Sequence, residues 1–230
     1  MKRFWKTAAA APLGEAFTVR LDDRPVRTPK RRELVVPTAA LAALLAEEWQ
    51  AQGETVDADG MHLNRLATSV VDLMPERRRA ALEQLLDYAR SDLLCYRASG
   101  PKPLLDAYER HWTPALTWLE TTLGVRLRVI EGLMPEAQPE TAIRALAAVL
   151  ESRDDWHLVG LHALATTTGS LVLALMVEAG RLEGGAAAGA ALVDEHFQRD
   201  RWGEEAEALA RERRLRAEVE AAARYLRALD

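Results

Sequence analysis

The sequence predicts an α+β protein, with a small N-terminal domain of β-strands plus one helix and a larger C-terminal orthogonal all-α bundle. Three observations support this fold class. Apolar and polar residues alternate early in the chain, with the period of a half-buried strand. After residue 38 the apolar residues recur at helical spacing. Residues 158–177 form the most apolar stretch of the chain, which indicates a helix at the centre of a bundle.

The predicted strands make a small antiparallel meander. The alternation is clearest at residues 17–21, and residues 25–28 and 33–36 continue the extended path after two turns. Residues 3–6 are a further candidate strand before them. Because a small meander cannot bury both of its faces, we expect the next helix to cover one of them.

That helix is predicted to begin after Thr38, whose side chain suits an N-cap, and to end at Gly53. Leu41, Leu45 and Trp49 follow one another at steps of four residues, so they share one face of the helix. We expect this stripe to pack on the sheet, with the Trp49 ring inside the domain.

The polar run at residues 54–60 predicts a linker and a domain boundary. We place the small α+β domain at residues 1–58 and the helical domain at residues 59–230. Residues 125–129 alternate, which predicts an isolated strand or an extended loop. The predicted helices cover residues 64–73, Pro75 to Tyr96, 104–112, 113–124, 139–152, 158–177 and 186–202, and run from Glu204 to the end.

The central stretch is almost long enough to span a bilayer, which needs about 20 apolar residues. His162, residues 166–168 and Ser170 interrupt it, and its flanks show no marked charge asymmetry. These features favour a buried helix over a membrane span. We interpret Gly169 and Ser170 as small residues that let neighbouring helices approach closely.

Composition favours a globular protein of a reducing compartment. The chain is 49% hydrophobic and 28% charged. The single cysteine, Cys95, excludes an internal disulfide, and its apolar neighbours indicate a buried thiol rather than a nucleophile. The basic start is followed by an alanine run too weak for a signal peptide. We expect a cytoplasmic protein, or one from an equivalent compartment, without membrane insertion.

Charge is distributed unevenly along the chain. The net charge is −5, but residues 1–36 hold nine basic and four acidic residues, about +5, which leaves about −10 for the rest. The basic run at residues 30–32 is typical of a solvated loop at a turn. A nucleic-acid binder using this basic segment is the alternative, although the acidic remainder would repel a phosphate backbone.

Motifs for catalysis are missing from the sequence. It contains no G-x-S-x-G, phosphate-binding loop or dinucleotide fingerprint. His157 and His162 are five residues apart, which does not place them on one helical face as a zinc pair requires. Asp194, Glu195 and His196 are consecutive and so point in different directions on a helix. We expect no cofactor and no metal, and an enzyme with an acidic site around Glu195 stays as an alternative.

The charged stretch at residues 194–207 is the strongest candidate for a working surface. Glu195, Gln198 and Trp202 lie at i, i+3 and i+7 and share one helical face, before Gly203 ends or bends the helix. An acidic rim around a tryptophan is typical of a protein-docking surface. The alternative is a helix corner in which Trp202 packs inward and the acidic side chains are merely solvated.

A succession of short motifs extends over nearly the whole chain. In order, they are Arg3-Phe4-Trp5-Lys6, Leu21-Asp22, Arg24-Pro25, Thr28-Pro29-Lys30, Pro37, Leu41-Ala42, Glu48-Trp49 with Gln52, Tyr88, Asp92-Leu93-Leu94, Tyr96-Arg97, Trp112 with Pro114 and Trp118, Gly169-Ser170-Leu171, and Glu195 with Gln198, Trp202, Gly203 and Glu204. This succession resembles the assembly chaperones of the F1 ATP synthase α subunit, a family with mitochondrial and alphaproteobacterial members.

The resemblance implies a monomeric, non-enzymatic chaperone that binds the unassembled F1 α subunit and supports assembly of F1. It also points to Glu195, Gln198, Trp202 and Glu205 as partner-binding residues, where the family tends to have Asp in place of Glu205. Trp49 is a further candidate contact, with structural support as its alternative role. Other departures, at Asp23 and near residues 62–64, fall in a turn and close to the predicted domain boundary.

Overall fold

A computed structural model describes residues 2–132, 136–203 and 205–230, and it confirms the α+β class. The N-terminal sheet is built around β2 (Ala16–Leu21), which pairs along its whole length with β1 (Ala8–Leu13). On the other edge, β3 (Arg24–Pro25) and β4 (Val35–Val36) pair with opposite ends of β2. All of these pairings are antiparallel.

The prediction of a first strand at residues 3–6 is wrong, because the first strand is the alanine-rich β1. Its residues are mostly exposed at the sheet edge, so they carry no apolar alternation that a sequence could reveal. The Arg3 guanidinium instead donates to the carbonyl oxygens of Gln50 at 3.2 Å and Gln52 at 2.5 Å, which fixes the N-terminus against the end of the first helix.

Helix α1 (Ala39–Gln50) covers the sheet as predicted. The Thr38 hydroxyl accepts from the Leu41 amide at 3.1 Å, which confirms the N-cap. Leu41 and Leu45 are fully buried, and Trp49 is 9% exposed. The predicted packing stripe is therefore confirmed.

Helix α2 (His62–Arg90) is continuous, so the predicted break at Pro75 is wrong. A proline within a helix cannot donate to the carbonyl four residues earlier, which here belongs to Val71. Arg32 Nη1 donates to this carbonyl oxygen at 2.6 Å and replaces the missing hydrogen bond. This long-range partner explains why the proline does not end the helix.

Helix α2 ends at Arg90, six residues before the predicted end at Tyr96. Leu93 and Tyr96 lie beyond the end of α2, in a 3-10 turn (Leu93–Cys95) and in β5 (Tyr96–Arg97). Residues 125–129 are an extended loop, after which β6 (Ile130–Glu131) pairs with β5 in parallel. The predicted short helices are confirmed as α3 (Lys102–His111), α4 (Thr113–Leu123) and α5 (Glu140–Glu151).

The central apolar stretch is buried as predicted, but it forms two helices, α6 (Asp155–Thr168) and α7 (Leu171–Glu178). Gly169 has a φ of 73° and ends α6, a conformation that favours glycine. The Ser170 hydroxyl then accepts from the Leu173 amide at 3.1 Å and caps α7. These two residues therefore break the helix rather than serving as packing positions within it. No helix in the described ranges has the length and apolar character needed to cross a membrane.

The last three helices are α8 (Gly184–Ala191), α9 (Val193–Trp202) and α10 (Ala206–Arg227). The predicted helix over 186–202 is thus divided near Leu192, and the predicted start of the last helix at Glu204 lies outside the described residues. Val219 and Leu226 are buried on α10, so its apolar stripe packs within the molecule.

Buried side chains from both parts of the chain form one hydrophobic cluster. Thr38 Oγ1 also donates to the carbonyl oxygen of Ala228 at 2.5 Å, which joins the start of α1 to the C-terminus. The boundary at residue 58 stays a prediction. Cys95 is fully buried, as expected, and burial together with the nearby Asp92 carboxylate raises its pKa to about 12.

Candidate functional site

The inner side of α9 is fixed to α10 by one carboxylate. The Glu212 carboxylate of α10 accepts from Arg199 at 2.6 Å and from Arg216 at 2.8 Å, and it lies 3.1 Å from His196 Nε2. Burial alone would raise the pKa of Glu212, but these three partners outweigh it and hold that pKa at about 2. The Glu212 carboxylate is therefore ionised at neutral pH, and its bonds to His196 and Arg199 attach α9 to α10.

The start of α9 is fixed to α3. The Tyr108 hydroxyl donates to Asp194 at 2.5 Å, and burial and this bond raise the pKa of the tyrosine. The Tyr108 ring stacks on Trp112 with centroids 4.2 Å apart. The Trp112 indole in turn donates to the carbonyl oxygen of Ala190 at 2.8 Å. Packing and hydrogen bonds thus hold the junction of α8 and α9 in place.

Glu195, Gln198 and Trp202 are exposed on α9 and take part in none of these contacts. Trp202 has 76% of its surface exposed, so the alternative in which its ring packs inward is wrong. Gly203, with φ of 91°, ends α9, and Glu205 is exposed immediately before α10. We call Glu195, Gln198, Trp202 and Glu205 the α9 corner.

Trp49, the other predicted contact, lies elsewhere and is buried. Its ring packs edge to face on Trp5, with centroids 5.2 Å apart, and its indole donates to Asn64 at 3.1 Å. Next to it, the Glu48 carboxylate accepts from the amides of Leu63 and Asn64 at the start of α2. Trp49 therefore supports the junction of α1 and α2 and offers no exposed ring to a partner.

The residues that orient the α9 corner were missed by sequence reasoning. The Glu212–Arg216 pair has i, i+4 spacing and is visible in the sequence as a helical ion pair. The bonds from His196 and Arg199 to Glu212, and from Tyr108 to Asp194, join residues far apart in the chain. No local pattern could have indicated them.

The side chains of Asp194, Glu195 and His196 diverge. Asp194 bonds to Tyr108, His196 bonds to Glu212, and Glu195 faces solvent. Within the described ranges, no group of three or more His, Cys, Asp or Glu side chains is arranged to hold a metal ion. A cavity of about 840 Å³ lies away from α9, between α4, α5 and the extended loop. The exposed acidic and aromatic side chains of the corner are suited to contact with another protein.

The chain is clearly similar to known bacterial and mitochondrial proteins. It is 36% identical to Atp12 from Paracoccus denitrificans, whose solved structure superimposes with a TM-score of 0.92 over 100% of this chain and 98% of that one. A solved structure from Agrobacterium tumefaciens gives 38% identity and a TM-score of 0.93, covering 100% of this chain and 86% of that one. The mitochondrial protein atp12 of Schizosaccharomyces pombe is 23% identical over 214 residues, which are 88% of this chain and 74% of that protein.

The shared fold and the sequence similarity to these relatives define the chain as a chaperone. The family model described as the ATP12 chaperone protein matches residues 2–120. The chain belongs to the ATP12 chaperone family, which acts in ATP synthase assembly, and the resemblance based on its motifs is confirmed.

Proposed function

We propose that the protein binds the unassembled α subunit of F1 ATP synthase through the α9 corner, and that it acts by binding without catalysis. The exposure of the Trp202 ring is the observation that supports this most directly. Burial of a large exposed aromatic ring against a partner lowers the free energy of the complex, because apolar surface is removed from water. We further propose that it works as a monomer, in a bacterial cytoplasm or a mitochondrial matrix.

The negative charges of the α9 corner would select which partner surface binds there. Glu195 and Glu205 are exposed on either side of Trp202 in the sequence, and neither takes part in an ion pair within the described structure. Carboxylates at the rim of an interface steer a basic partner surface and disfavour an acidic one. The α-subunit surface that docks here should therefore combine an apolar recess with basic side chains.

The test is a charge reversal at the corner, Glu195→Lys. The substitution should leave the folded state nearly unchanged, within about 0.5 kcal/mol plus a small loss from removing an acid at a helix N-terminus. Capture of purified α subunit should nevertheless weaken markedly, because like charges would meet across the interface. Thermal melting and α pull-down are measured on the same preparation.

Two further variants act as controls. Glu195→Gln removes the charge without reversing it and should have an intermediate effect on capture. Glu83→Lys makes the same reversal at an exposed position on α2 and should leave capture intact. Normal melting with undiminished capture by Glu195→Lys would remove the α9 corner from the mechanism. A fall in capture that only follows a fall in melting temperature would make Glu195 a structural residue.

A further inference from the structure

A second exposed apolar surface lies between α2 and α6, on elements that do not form the α9 corner. It is a groove of about 280 Å³. Its apolar lining includes Leu66, Leu73, Met74, Leu158, Val159 and Ala163. Leu73 has 40% of its surface exposed at the groove, where a soluble helix normally carries a polar residue. We call this surface the α2–α6 groove.

The polar groups at one end of the groove are already satisfied. His162 contacts Gln84 Oε1 through Nε2 at 2.9 Å. Burial lowers the pKa of this histidine, so its ring is uncharged at neutral pH. The groove therefore presents a mostly apolar floor to a ligand, with space for one or two apolar side chains.

The rim of the groove is basic. Among the described residues that line it, Arg77 carries a full charge and none is acidic. The loop of residues 27–32, which we call the basic loop, packs against the same part of α2. Its backbone and side chains hold the buried Asp72, since Thr28 Oγ1 and the Lys30 amide donate to that carboxylate at 2.7 and 2.9 Å.

Helical geometry places the basic loop beside the groove. Asp72 and Glu76 face the loop, and Leu73 and Arg77 each follow one residue later, on the adjacent stripe of α2. Glu76 is the exposed acid at this rim and lies 3.8 Å from Lys30 Nζ. Against it stand four exposed cations, namely Arg27, Lys30, Arg31 and Arg32.

We propose that the α2–α6 groove binds a segment of the client protein in which carboxylates flank an apolar side chain. The apolar side chain would enter the groove beside Leu73, and its acidic neighbours would meet Arg77 and the basic loop. This proposal rests on the proposed chaperone function and adds a second contact of opposite charge to the α9 corner. Two separate contacts would hold a client more tightly than either alone.

Other occupants fit the observations less well. A nucleic acid would use the cations but would leave the apolar floor and Leu73 uncovered. A second copy of the chain would have to offer a different surface to the groove, because the groove itself is basic. Such a head-to-tail contact does not close into a dimer.

The test uses overlapping synthetic peptides that span the F1 α subunit, probed with the full-length protein. Wild type should retain a subset in which Asp or Glu flanks an apolar residue. Leu73→Gln and Arg77→Glu should each weaken that retention about tenfold. Leu13→Gln is the matched control for an exposed leucine, at 43% exposure, and Arg144→Glu is the control for an exposed helical arginine. Both controls should bind as wild type does, and all variants should melt normally.

Each other outcome contradicts the proposal. The groove does not bind such a segment if Leu73→Gln and Arg77→Glu retain the same peptides as wild type, or if the retained peptides are rich in Lys and Arg. If wild type retains no α peptide but still captures whole α subunit, the groove proposal fails and the proposed function stands. If it captures no α subunit, the proposed function fails. Self-association that Arg77→Glu abolishes would make a second copy the occupant.

Discussion

Two regions of the molecule each combine a glutamate, a glutamine and a tryptophan, but these side chains bond inside the fold in one region and are exposed in the other. At the junction of α1 and α2, Glu48, Trp49 and Gln52 all bond inward: the carboxylate caps α2, the indole donates to Asn64, and the Gln52 side chain bonds to the Glu48 carbonyl and the Asp57 amide. At the α9 corner, Glu195, Gln198 and Trp202 face solvent.

The difference lies in what each helix packs against. The apolar face of α1 is covered by the sheet and by the start of α2, so its glutamate is desolvated, and burial raises the pKa of Glu48 despite two amide donors. On α9, Phe197 is half-buried against the core, and His196 and Arg199 bond to Glu212. The Trp202 ring takes part in neither contact and is left exposed. Residue type alone therefore does not separate a structural tryptophan from a docking one.

The largest effect on stability is expected from Trp49→Ala. Removing a buried indole should reduce the free energy of unfolding by about 3–5 kcal/mol. Capture of α subunit should fall only in proportion to the fraction unfolded, because the Trp49 ring is buried and we expect the exposed Trp202 to make the contact. Urea unfolding with a parallel pull-down measures both. Full stability with lost capture would reverse the roles that we assign to the two tryptophans.

A smaller, pH-dependent effect is expected at Asp92, a motif residue that also faces inward. Its carboxylate is fully buried and caps α7 by accepting from the Val172 amide at 3.1 Å. Burial raises the pKa of Asp92 from 3.8 to about 6. Because the pKa of Asp92 is higher in the folded than in the unfolded state, protonation of its carboxyl stabilises the fold. This stabilisation is complete below the unfolded pKa of 3.8 and is lost as pH rises through the folded pKa of about 6. It amounts to something on the order of 3 kcal/mol.

The comparison that isolates this effect is wild type against Asp92→Asn, unfolded in urea at pH 4, 5, 6 and 7.5. The stability of wild type relative to the variant should decline across that range. If the two proteins show the same pH dependence, the Asp92 carboxyl does not titrate with a raised pKa.

A modest effect is expected where the basic loop supports α2. Arg32→Ala should reduce stability by about 1 kcal/mol, because it leaves the Val71 carbonyl without a donor. In a Pro75→Ala background the new backbone amide can donate to that carbonyl, so the same Arg32→Ala change should have less effect. Equal effects in both backgrounds, measured by denaturant unfolding, would show that Arg32 does not replace the missing bond.

The sequence predicted most of the fold where the signal is local. Period-two alternation located β2, the cap at Thr38 located α1, and the apolar run located the buried centre. It failed where a distant group decides the outcome. Pro75 stays inside a helix because Arg32 supplies a donor, and β1 forms because it pairs with β2 in spite of its alanines.

The candidate site was predicted in part. Helical spacing placed Glu195, Gln198 and Trp202 on one face, but exposure depends on which face the rest of the fold covers. That choice is made by Tyr108 and Glu212, which meet α9 only in the folded chain. The burial of Trp49 was equally hidden from the sequence, because its partners Trp5 and Asn64 come from other elements.

The smallest effect on stability is expected from Trp202→Ala, which also tests most directly whether the α9 corner binds the α subunit. This ring is 76% exposed, so the free energy of unfolding should change by no more than about 0.5 kcal/mol. Capture of purified α subunit should nevertheless fall at least about tenfold, as expected for an aromatic anchor at the centre of an interface. Unchanged capture by a normally folded Trp202→Ala protein would show that the α9 corner does not bind the α subunit.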